Sequence, residues 1–155
     1  MKRYLRVLLL ICLISSYAKA QRHVFSDYGV PLYKGQPAKL RLEGNKLAEQ
    51  YRTGIRDTYY STKDQVEYHG LTGLNFGGHY CFVYLGCGSD CQLSFIVDLK
   101  TGIVYLGIDA GRGYQFKPNS KLLIVNPPND GPPSSIFKTE YYVWDELTMK
   151  LDKIK

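Results

Sequence analysis

The sequence has 155 residues, a formal net charge of +6, and 45% apolar and 14% aromatic residues. That length suits a single domain with a modest core. Four of the twenty basic residues, Lys2, Arg3, Arg6 and Lys19, fall in the first twenty positions; the rest of the chain then holds sixteen basic against fourteen acidic residues, a net of +2. So nearly neutral a remainder excludes a nucleic-acid footprint, which needs clustered Lys and Arg on one face.

Residues 1–20 have the three zones of a secretory signal: the basic start, the apolar run Val7 to Ile14, and Ala18-Lys19-Ala20 as a small-residue cleavage site before Gln21. The run is too short for a permanent membrane helix. Cys12 follows Leu10 and Ile11, whereas a lipidation site wants a small residue just before the cysteine. The expectation is a signal peptide over 1–20, a single β-rich domain over 21–155, and a periplasmic or secreted location with no membrane insertion after the signal is removed.

Gln21 to Gly35 is punctuated by Gly29, Pro31 and Gly35 and predicts irregular chain. A short strand is expected at Lys39 to Leu42. Asn45 then offers an N-cap, and Leu47, Tyr51, Ile55 and Tyr59 recur every fourth residue, with Ala48 and Thr58 near the same face, predicting one amphipathic helix from Lys46 to Tyr60. Gly54 weakens it by about 1 kcal/mol. A polar connector, Ser61 to Phe76, follows. Strands are predicted at His79–Leu85, Gln92–Asp98, Ile103–Leu106, Tyr114–Phe116, Lys121–Asn126, Phe137–Trp144 and Thr148–Ile154, each β-branched or aromatic and bounded by turn residues. Gly86-Cys87-Gly88-Ser89-Asp90-Cys91 closes the first hairpin, and Leu99-Lys100-Thr101-Gly102 the second. Asn126 to Ser135, with four prolines, predicts an irregular excursion. The fold class is therefore mainly β (α+β), with one N-terminal amphipathic helix. The segment from Phe95 to Tyr105 finds a parallel in Tyr141 to Asp145 and the strand after it, which suggests an antiparallel meander of two propeller-like blades with exposed edges.

After the signal three cysteines remain, Cys81, Cys87 and Cys91. In an oxidising compartment Cys87 and Cys91, which flank only three residues, are expected to bridge. Alternation along the strand puts Cys81 with Val83 and Leu85 on one face, as a buried free thiol, and Tyr80, Phe82 and Tyr84 on the other. His79, Cys81, Cys87 and Cys91 also form a conceivable zinc set, but exported thiols oxidise, so no metal and no cofactor is expected. A papain-type site fails, because Asp90 interrupts the C-G-S-C run and no histidine follows His79.

Three motifs, N-F-G-G-H-Y at 75–80, G-C-G-S-D-C-Q at 86–92 and V-D-L-K-T-G-I-V-Y at 97–105, resemble a group of small exported bacterial proteins of unassigned function. That group reads N-F-A-G-H-Y, then W-G-C-G-x-x-C-Q, then a V-D-x-K-T-G turn. The resemblance covers about residues 45 to 152, departs at Gly77 and Leu85, and implies no activity, so no catalytic residue is carried over.

His79, beside Gly77-Gly78, is the most suggestive single residue. Ser89 and Asp90 lie in the cysteine loop, but no G-x-S-x-G elbow supports a triad; Asp90 and Asp98 are expected to bond the backbone of their own turns. His69 with His79 would be needed for a two-histidine nuclease. No catalytic residue is assigned. The candidate binding residues are His79, Ser89, Asp90, Tyr80 and Tyr84. The function expected is an exported, non-catalytic binding protein, an inhibitor or immunity-type factor that acts on another protein in the periplasm. The alternatives are a small hydrolase centred on His79 and the Cys87–Cys91 loop, or a glycan or peptidoglycan-binding module.

Overall fold

The computed structural model describes residues 23–61, 73–128 and 136–155. The expected signal peptide, most of the polar connector with His69, and most of the proline-rich excursion lie outside these residues. Among the described residues seven strands form two antiparallel sheets: β1 (Tyr80–Gly88), β2 (Cys91–Asp98) and β3 (Val104–Leu106) in one, and β4 (Tyr114–Lys117), β5 (Ser120–Val125), β6 (Glu140–Asp145) and β7 (Lys150–Ile154) in the other, each sheet ordered as in the sequence. The chain is thus mainly β with few helices.

Period-two alternation explains how the first sheet is used. Cys81, Val83 and Leu85 pair with Val97, Phe95 and Leu93. Together they make one apolar face, which packs on the helical segment through Ala48, Ile55 and Tyr59. The opposite face carries Tyr80, Phe82 and Ile96 and meets Leu123, Val125, Tyr142 and Trp144 of the second sheet. The first sheet is therefore buried on both sides, and its middle residues are almost uniformly apolar.

The helix is split where one continuous helix is expected. α1 (Lys46–Gln50) and α2 (Arg52–Tyr59) meet at Tyr51, with φ −98 and ψ 18, whose ring packs on Phe95 at 5.9 Å. Asn45 caps α1, its side chain accepting the Ala48 N–H at 3.0 Å. Gly54 has a packing reason: a Cβ there would lie 2.6 Å from a Leu85 methyl. The expected strand at Lys39 to Leu42 reduces to one parallel bridge, Arg41 to Ile103. Strands β6 and β7 start later than expected, at Glu140 and Lys150.

The internal parallel holds at the level of single bonds. Asp98 accepts the Lys100 N–H and the Thr101 hydroxyl, both at 2.8 Å, and Asp145 accepts the Leu147 N–H at 2.8 Å and the Thr148 hydroxyl at 2.9 Å. Both turns close through a left-handed residue, Gly102 at φ 76 and Met149 at φ 54. An Asx turn at the end of one strand thus starts the next in each sheet.

The N-terminal segment ties the sheets together. Ser120 donates its hydroxyl to Phe25 O at 2.8 Å, and Val30 N–H bonds Asn119 O at 2.9 Å. Tyr33 N–H then bonds Gly78 O and Ala38 N–H bonds Leu99 O, both at 2.7 Å.

Candidate functional site

The N-F-G-G-H-Y motif builds a corner. Gly77 and Gly78 sit at φ 54 and 86, and their N–H groups bond Ser120 O at 3.1 Å and Pro118 O at 2.7 Å, across to the second sheet. A Cβ on Gly78 would lie 2.7 Å from Pro31 O. Glycine is needed for the positive φ and for the close approach of the N-terminal segment. The corner delivers His79 to the junction of both sheets with that segment.

His79 lines a cavity of about 350 Å³ walled by Val30, Pro31, Leu32 and Tyr33 on one side and Lys100, Lys121 and Glu146 on the other. Its ring stacks on Tyr80 at 4.1 Å and its Nε2 lies 3.8 Å from Asp98 Oδ1. Burial, helped by the nearby Lys100 ammonium, holds the imidazole below its ordinary pKa, and Asp98 only partly opposes this. His79 is therefore neutral at pH 7. Because both oxygens of Asp98 already serve its turn, the pair is not a free base-and-orienter dyad. Lys121 and Glu146 form an ion pair at 3.1 Å. Lys100 has no carboxylate partner among the described residues; its Nζ lies 5.9 Å over the Tyr33 ring. Leu32, which lines the cavity, is 48% exposed, and Leu147, the residue after the cavity-lining Glu146 in the chain, is 95% exposed.

The candidate residues separate into three groups. His79 is at the cavity. Ser89 and Asp90 are exposed at the far tip of β1, roughly 30 Å away by strand rise, so the structure assembles no site from His79 and the cysteine loop. Tyr80 and Tyr84 lie on the side of β1 that faces the second sheet. Tyr80 is 1% exposed, with its ring against Trp144 and its phenol pushed up to about 12 by burial. Tyr84 is half-buried beside Tyr114. Both belong to the face of β1 that the second sheet covers.

At the tip, Cys87 and Cys91 are bonded, with Cα atoms 5.1 Å apart. The register slips between Gly86 and Gly88, so Cys87 sits on a bulge; Asp90 takes φ 54 in the two-residue loop. Such a bridge is compatible with an oxidising, exported location. Closing so short a loop stabilises by only about 2 kcal/mol, and the bridge clamps the tip rather than the domain. Cys81 is free and buried, its thiol pushed up by desolvation. The conceivable zinc set is thus not brought together, and among the described residues no three His, Cys, Asp or Glu side chains cluster as metal ligands.

Sequence reasoning missed Leu32, Tyr33, Lys100, Lys121, Glu146 and Leu147. The one available signal was the apolar content of Val30 to Tyr33, unusual for irregular chain. A second cavity, about 390 Å³, lies between the N-terminal segment and the outer face of the second sheet, lined by His23, Phe25, Gln115, Lys117, Ile124 and Tyr141 among others. Its His23 is already engaged, donating from Nε2 to the backbone oxygen of Lys155 at 2.8 Å. No protein-family model matches the chain, nor does any curated protein or solved structure.

Proposed function

We propose that the chain is an exported, non-catalytic binding protein, an inhibitor or immunity-type factor that engages another protein in the periplasm, with the His79 cavity as the anchor point. The observation that carries this reading is a preformed hollow with an apolar wall, one unpaired cation and the exposed Leu32 in its lining, with the exposed Leu147 next in sequence to Glu146. Interfaces are organised in this way, with a partner side chain buried centrally and apolar contacts excluding water around it. The leader over residues 1–20 and the oxidised tip support export. On the same reading the two sheets are propeller-like blades led by one broken N-terminal helix, and their face-to-face packing supports it.

The test uses the processed chain as bait in an envelope extract of the cells that produce it, beside a Leu32→Asp/Leu147→Asp variant. The wild type is expected to retain a discrete protein, which the variant loses by about tenfold or more, since a truncated apolar anchor costs more than about 1 kcal/mol at an interface. Equal retention by both chains, or no retention by either, contradicts the proposal.

A further inference from the structure

The chemistry of the cavity specifies what it receives. We propose that its occupant is a carboxylate, the side chain of an aspartate or glutamate on the partner protein. The inference rests on the cavity being the docking point. With His79 neutral, the charged groups lining the hollow are Lys100, Lys121 and Glu146. Glu146 neutralises Lys121, which leaves the Lys100 ammonium as the lining cation with no ion-pair partner among the described residues. One unpaired ammonium suits one carboxylate. A phosphate dianion would exceed it, and the backbone N–H groups of Gly77 and Gly78 that could otherwise cradle phosphate oxygens are committed to Ser120 and Pro118. The apolar wall of Val30, Pro31 and Leu32 suits the methylene stem behind such a head group.

His79 gives the contact a pH dependence. The groups facing it are Asp98 and Lys100 from the β2–β3 turn, Lys121 from β5, Glu146 from the β6–β7 turn, Tyr33 from the N-terminal segment and the adjacent Tyr80. A third carboxylate arriving beside Asp98 and Glu146 favours the imidazolium. Binding therefore takes up a proton and tightens as pH falls from 8 towards 6.

The probe is sodium acetate, with inorganic phosphate as comparison, titrated onto the ¹⁵N-labelled processed chain and followed through its amide resonances. Acetate is expected to shift Gly77, Gly78, His79 and Lys100 saturably, more tightly at pH 6 than at pH 8. Lys100→Met, at an exposed position, should raise the Kd about fivefold, and Glu146→Gln should lower it by freeing Lys121. No saturable shift, saturation by phosphate but not acetate, or a Kd unchanged in Lys100→Met overturns the inference. If acetate fails while the bait still retains a partner sensitive to the two leucines, docking stands and the acidic occupant falls. If acetate binds while the bait retains nothing, the carboxylate pocket stands and the protein partner falls.

Discussion

Phe82→Ala is expected to lower the stability of the domain by about 4 kcal/mol, the cost of deleting a large buried ring whose surroundings cannot collapse to fill the space. Phe82 is fully buried at the centre of an aromatic cluster between the two sheets. Its ring lies 4.8 Å from that of Phe116, 5.0 Å from Tyr114 and 5.8 Å from Phe76. These neighbours come from β4 and from the corner before β1, so the ring couples β1 and its corner to a strand distant in sequence. Aromatic pairs at such distances add to area burial. The loss is a large share of what a domain of this size has to spare. Urea denaturation followed by tryptophan fluorescence reads it as a fall in midpoint with little change in slope; a loss below about 1 kcal/mol would mean that the sheets do not share this core. Phe82→Leu, which keeps most of the volume, should recover most of the stability.

Asn75→Ala is expected to cost about 3 kcal/mol, although it removes far less volume. The Asn75 side chain accepts the Phe82 N–H at 2.6 Å and donates to Phe82 O at 3.0 Å, both in buried surroundings. The amide acts as a one-residue strand partner, satisfying the outward-facing backbone of β1 where, among the described residues, no further strand continues the sheet. Alanine leaves a buried donor and a buried acceptor without partners, each costing about 1–3 kcal/mol. Asn75→Asp keeps the acceptor, loses the donor and adds a buried charge, so it should be at least as damaging. Hydrogen exchange separates this mechanism from simple loss of packing. The Phe82 amide should lose protection selectively in Asn75→Ala, ahead of its neighbours Cys81 and Val83. Uniform loss along β1 would show that the side chain acts by bulk alone.

What could be foreseen follows from what is local. The seven strands, the two faces of β1, the Cys87–Cys91 bridge and the Asx turn at Asp98 depend on period-two alternation or on turn chemistry within four residues, and sequence spacing carries both. The cavity depends on neither. It gathers Val30 to Tyr33, Gly77 to His79, Lys100, Lys121 and Glu146, and no periodicity says which turn meets which. His79 stood out by its glycines alone. Tyr80 shows the limit in one residue: alternation placed it correctly with Phe82 and Tyr84, but not the fact that the second sheet covers that face. The break at Tyr51 and the role of Gly54 are likewise tertiary, set by Phe95 and Leu85 rather than by helix propensity.

Site-specific photo-crosslinking in the cells that produce the protein tests the central claim most directly, with a photoreactive amino acid placed at Leu147, next in sequence to Glu146 of the His79 cavity, or at Gln115 in the second cavity. The account predicts one discrete adduct from position 147, carried by an acidic segment of the captured protein, weakened by Lys100→Met and absent from position 115. Equal adducts from both positions, or none from 147, would contradict it.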